Sequence, residues 1–239
     1  MASTPKIESE PRVLDHLAIH VADRAAATEE LLAAFDVHVI ERNERLTLIG
    51  ADAQHGKITL LDAVDDAPPV PRELVSIVLA ERAGSAVPPP VRLASGLVVT
   101  FGSVDDLGPD WSDVPRHALV GITLRVDDPT VSAARLAAQH GMHVTSARPD
   151  VAVLEVAGPG AGEGRITLMR EHWDHEDGPG MLDHIGVRVL DAERWRAHAL
   201  ELDATVVRWI DAEHSRAVFV AGPEDLLIEF VEHTAPLGV

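Results

Sequence analysis

The chain has 239 residues, 46% of them hydrophobic, enough to fill the core of one large domain or two small ones. Its 20 Lys and Arg against 39 Asp and Glu give a formal net charge of −19, which repels nucleic-acid backbones and anionic membranes and leaves a small molecule or another protein as the expected partner. Cysteine and tyrosine are absent, so disulfides, thiolate ligands and tyrosine acid catalysis are excluded, and any metal has to be held by His, Asp or Glu. The opening MASTPKIESEPR has no apolar run of signal-peptide length, and no later stretch approaches the ~18 apolar residues of a membrane span, which points to the cytoplasm.

In chain order, LDHLAIHVAD (14–23) alternates as a strand, RAAATEELLAAF follows as a helix, and VHVIE, LTLIGA and KITLLDA are three further strands with a turn around His55 and Gly56. This β-α-β-β-β unit spans residues 13–66. ELVSIVLAE and LVVTFGS are the first and last strands of an abbreviated unit, 72–104, whose SAVPPPVRL linker is too rich in proline for a helix. VGITLRVDD, the helix TVSAARLAAQHG, and MHVTSA, VAVLEVAG and RITLMRE repeat the full order over 117–171. LDHIGVRVLD repeats it again over 181–233, with Asp191 capping a helix that carries Trp195, Ala199 and Leu202 at helical spacing. Arg125-Val126-Asp127-Asp128 recurs as Arg188-Val189-Leu190-Asp191 at an offset of 63, and Val156-Ala157-Gly158-Pro159 recurs as Val220-Ala221-Gly222-Pro223 at an offset of 64. Two matches in one order at nearly one offset predict duplicated structure.

Alternation separates packing from chemistry. Leu17, Ile19 and Val21 share the face that packs on the helix, leaving His16, Ala18 and His20 opposite; likewise His184, Gly186 and Arg188 oppose Ile185, Val187 and Val189. In the last strand Ile228 and Phe230 pack inward while Glu229 points the other way. A carboxylate flanked by Leu, Ile, Phe and Val is costly unless paired or metal-bound.

The repeated units, the L-D-H first strands and the h-E-h last strand (h, apolar) resemble the vicinal oxygen chelate superfamily, which includes glyoxalases, bleomycin-resistance proteins, extradiol dioxygenases and some epimerases. The resemblance covers most of residues 13–233. It implies an α+β fold of four βαβββ modules, the second shortened, forming two cup-shaped mixed sheets, with metal ligands drawn from the first and last strands of a module. Carried over by position, the ligands are His16, His184 and Glu229. Thr59 stands in module one where a carboxylate would be, Gly121 and Thr167 fill the two positions of module three, and Leu74 takes the histidine position of module two. If modules one and four share a cup, the triad assembles there and modules two and three form a non-metal cup; a homodimer lending His16 from a second copy is the other route.

Two histidines and one carboxylate suit Fe2+ or Mn2+, with Zn2+ or Ni2+ as alternatives, and a small substrate held through two adjacent oxygens. A dioxygenase-like enzyme is the leading expectation. A glyoxalase-like or epimerase-like isomerase or lyase, and a drug-resistance-like binding protein without turnover, are the alternatives. The resemblance makes His214 the candidate acid/base, although Phe219 stands where the family carries tyrosine. His20, Thr59, Arg188 and Phe219 are candidates for lining the substrate cup. His172 and His175 lie in the acidic linker REHWDHED, where a solvated role is expected.

Overall fold

A computed structural model describes residues 12–63, 74–82, 84–103, 113–157, 164–170 and 182–235. His172 and His175 lie outside them. The elements are β1 (Val13–Val21), α1 (Arg24–Ala34), β2 (His38–Arg42), β3 (Leu46–Gly50), β4 (Lys57–Asp62), β5 (Leu74–Glu81), β6 (Val91–Arg92), β7 (Val98–Ser103), β8 (Leu119–Arg125), α2 (Pro129–His140), β9 (His143–Ala147), β10 (Val151–Glu155), β11 (Arg165–Met169), β12 (Leu182–Arg188), α3 (Ala192–Glu201), β13 (Val206–Asp211), β14 (Ser215–Ala221) and β15 (Leu227–His233). Among the described residues no helix lies between β5 and β7, as the proline run predicts.

Each helix follows its strand through an aspartate cap: Asp23 accepts from the Ala26 amide, Asp128 from those of Thr130 and Val131, and Asp191 from that of Arg194. These caps satisfy amides that the first helical turn cannot bond internally. α2 stops at Gly141, whose φ of 64° turns the chain left-handed and lets its amide reach the Ala137 carbonyl.

The strands form two mixed sheets. One has the order β13-β14-β15-β12-β1-β4-β3-β2, and the other β6-β7-β5-β8-β11-β10-β9. The first therefore joins strands from the two ends of the sequence through the antiparallel β1–β12 pair; the second is built from the middle. The sheets meet at a bridge between Gly56 and Leu119. A Cβ on Gly56 would lie 2.0 Å from the Leu119 carbonyl oxygen, so only glycine allows that approach.

Leu17, Ile19, Ile185, Val187, Ile228 and Phe230 are all buried in one core. Trp195 of α3 stacks on Phe230 with ring centres 4.1 Å apart. Ala199 is buried with it, whereas Leu202, the residue that caps α3, is 39% exposed.

The β1–β12 pairing is not a simple ladder. Leu14 pairs with Val187 and His16 with Gly186, so Asp15 is an extra residue; on the other strand, Ala18 pairs with His184 and Ile19 with Leu182, so Asp183 is extra. Each is a β-bulge, and a bulge lets consecutive residues share a face that strict alternation would deny them.

Candidate metal centre

The bulges decide where the histidine rings sit. His16 Nδ1 donates to Asp15 Oδ2 at 2.9 Å and His184 Nδ1 donates to Asp183 Oδ2 at 2.6 Å, a hydrogen bond between sequence neighbours made twice. Each carboxylate fixes its imidazole with Nε2 turned outward as a lone pair. The two Nε2 atoms lie 2.9 Å apart, and Glu229 Oε2 is 3.0 Å from His16 Nε2 and 3.2 Å from His184 Nε2.

Glu229 arrives because β15 runs parallel to β12 with Glu229 beside Gly186. Gly186 also makes room for His16. A Cβ there would stand 2.4 Å from the ring, so the imidazole lies directly over the glycine backbone. On the symmetric side the small residue opposite His184 is Ala18.

Three electron-rich atoms converging within 3.2 Å require a positive charge between them. Protonation of the cluster expresses that demand. Burial, the largest influence, lowers the basicity of His16, yet the bonds from Asp15 and Glu229 and their charges outweigh it and raise its pKa to about 9. Burial raises the Glu229 carboxyl, and the two imidazoles overcome it, bringing its pKa down to about 2. A divalent cation meets the same demand. With metal–ligand bonds of about 2.1 Å, neighbouring positions of an octahedron lie about 3.0 Å apart and those of a tetrahedron about 3.4 Å. The observed edges fit one face of an octahedron, and His16, His184 and Glu229 are therefore suited to hold such an ion.

The surroundings of the histidines are themselves anchored. Asp15 is fully buried and also accepts from Lys57 Nζ at 3.0 Å and His233 Nε2 at 3.1 Å. Burial would raise its pKa, but His16, His233 and Lys57 hold it well below the usual range. Asp183 is kept low chiefly by the hydrogen bond from His184, against burial, with His20 adding to the effect.

His20 bonds Asp183 at 3.0 Å through Nε2 and the Asp62 carbonyl at 2.9 Å through Nδ1, so it acts on His184 through Asp183. Thr59 pairs with Ala18 on β1, as Glu229 does with Gly186 on β12, and so fills the fourth symmetry-related slot with a hydroxyl. Phe219 packs its ring at right angles to His184, centres 5.2 Å apart. Arg188 instead donates to the Gln54 carbonyl at 3.0 Å.

His214 is the clearest departure from expectation. Its side chain is 68% exposed at the β13–β14 hairpin, beside Glu213. It lies five residues before Phe219 on an extended strand, about 16 Å from the row that carries Glu229. That distance removes it from the metal centre as an acid/base.

Asp15, Asp183, Lys57, Gly186 and Arg208 were not singled out from the sequence as site residues. The signal for the first two is the Asp-His doublet repeated at 15–16 and 183–184. Arg208 stands across from Phe219 on β13 and places its guanidinium carbon 4.0 Å from the Phe219 ring centre.

No family model matches the chain, and no curated protein sequence matches it. Solved structures do. Glyoxalase I from Zea mays aligns at 11% identity with a TM-score of 0.68, covering 92% of each chain, and a point mutant of the same enzyme at 12% with 0.69, covering 93% of this chain and 94% of that one. A candidate dioxygenase from Bacillus subtilis aligns at 14% with 0.67, covering 94% of this chain and 87% of that one. At such identities the likeness is one of fold, and it is the fold expected from the repeated units.

Proposed function

We propose that this chain, which has the vicinal oxygen chelate fold, is a metal-dependent protein of dioxygenase-like chemistry that binds a small substrate through two adjacent oxygens. The observation that carries the reading is the triangle of His16 Nε2, His184 Nε2 and Glu229 Oε2, with edges of 2.9–3.2 Å and both rings held from behind by carboxylates.

His16, His184 and Glu229 would hold a divalent cation from one side, which would leave its other side to a substrate with two adjacent oxygens. A divalent cation bound there would supply Lewis acidity that lowers the pKa of a substrate hydroxyl. The protein contributes position and exclusion. Asp15 and Asp183 hold the rings at fixed angles, the Phe219 ring packs against His184, and Arg208 above Phe219 offers a positive charge to an anionic substrate.

An isomerase or lyase of glyoxalase type is the weaker reading. It needs a protein base near the bound substrate, and the slot related to Glu229 holds Thr59, whose hydroxyl is too weakly basic for that task near neutral pH.

The test is anaerobic reconstitution with Fe2+ or Mn2+, metal analysis, and oxygen uptake over a panel of catechols and related vicinal diols. One metal per chain in the native protein, lost in His16→Ala and Glu229→Ala, together with substrate-dependent oxygen uptake, is the expected result. Less than about a tenth of an equivalent bound, or the same content in both variants, overturns the metal centre. Full loading without oxygen uptake overturns the oxygenase chemistry alone.

A further inference from the structure

The seven-stranded sheet repeats the framework of the metal centre with different side chains. In the β5–β8 pair, Leu74 faces Leu124 and Ser76 faces Thr123 with Val75 extra; Val78 faces Gly121 and Leu79 faces Leu119 with Val120 extra. These are the same two bulges at the same spacing as in β1–β12. Ser76 therefore stands where His16 does, Gly121 where His184 does, and Thr167, which pairs with Thr123, where Glu229 does. The residue matching His16 is thus Ser76 and not Leu74, because the bulge at Val75 shifts the register. Val75 and Val120 replace the two orienting carboxylates, so among the described residues this sheet has neither ligands nor their supports.

In place of a metal triad there is a cavity of about 390 Å³ whose wall includes Thr100, Gly121 and Thr167. A Cβ on Gly121 would lie 2.8 Å from the Arg165 carbonyl oxygen, so β11 packs directly against the glycine and no imidazole fits at this position. Val78, Phe101 and Val120 make part of the wall apolar. Arg165 also lines it, two residues before Thr167 on the same face of β11. Glu155 stands opposite Arg165 on β10, and among the described residues the guanidinium forms no ion pair. A half-buried arginine in a cavity wall can serve carboxylate recognition, since its planar guanidinium fork matches a carboxylate bidentately.

We propose that this cavity is a second, metal-free binding site for a small organic anion: a carboxylate against Arg165 and an apolar body against Val78, Phe101 and Val120. Arg165 supplies the positive charge that a cation supplies in the other sheet, and the Thr167 hydroxyl, on the same face, offers a hydrogen bond to the same group. The volume suits a single-ring acid.

Benzoate and its neutral isostere benzamide are the probes, titrated into 15N-labelled protein. Saturable shifts at the Gly102, Gly121 and Thr167 amides are expected, with benzoate at least about tenfold tighter than benzamide. Arg165→Gln is expected to abolish that preference while Gly186 and Phe219 stay unshifted. Absence of saturable shifts, shifts centred on Gly186 and Phe219 instead, or equal affinity for benzamide overturns the proposal. These wild-type readouts stand even if the variant fails to fold.

Discussion

Asp15 and Asp183 are related by the approximate two-fold symmetry of the β1–β12 pair, each the extra residue of a bulge and bonded to the histidine that follows it. Their environments differ: Asp15 is enclosed with Lys57, whereas the Asp183 side chain is 30% exposed. The two substitutions should therefore part company. Asp15→Asn and Asp183→Asn are each expected to weaken metal affinity about 10- to 100-fold in competition with a chelator. Only Asp15→Asn leaves a buried ammonium unpaired, and it should cost a further 3–5 kcal/mol or so in urea unfolding. Equal stability losses would show that Lys57 finds another partner.

Gly186→Ala tests the placement of His16. The added methyl would overlap the imidazole, so the ring must rotate away from His184 and Glu229. Metal affinity should fall by at least about tenfold with secondary structure intact by circular dichroism. Ala18→Gly, across the two-fold, should leave it nearly unchanged; a wild-type affinity for Gly186→Ala would refute the arrangement.

Metal removal should loosen the sheet, because the triad ties β1 to β12 and β15. At a free metal concentration a hundredfold above Kd, binding adds about 2.7 kcal/mol, which for a chain of this size raises Tm by about 5–10 °C. Glu229→Gln should show no such rise when metal is added, and chelation should leave its melting curve where it was.

His140 gives a pH dependence independent of the metal. Burial, the dominant cause, lowers its pKa to about 4, against a smaller opposing effect from the Ala221 backbone. Below about pH 6.5 the unfolded chain takes up a proton that the folded ring refuses, so stability is full above that pH and falls as pH drops toward 4. The loss between pH 7 and pH 5 is about 2 kcal/mol. Urea titrations at both pH values should show it in wild type, and His140→Leu should lack that component.

Much of the candidate site was legible because its pattern is written twice. The L-D-H strands mark His16 and His184, and Glu229 is conspicuous as a charge inside an apolar strand. The carboxylates behind the rings were not legible, since strict alternation sends Asp15 and His16 to opposite faces and only a bulge reconciles them. The same irregularity displaced Leu74 onto the wrong slot. His214 misled for another reason: spacing along a sequence does not reveal how far a hairpin carries its tip from the sheet's centre.

The candidate ligands His16 and His184 are separated by 168 residues, and this has a bearing on the order of events during biosynthesis. A ribosome adding about 5–20 residues per second needs roughly 10–30 s between one histidine and the other. For that interval β1 has no β12 to pair with and its edge stays open, while β5 and β8 of the other sheet are already available to each other. Metal capture at this triad would therefore come late in the life of each new chain, and the open edge of β1 would need protection from neighbouring chains until then.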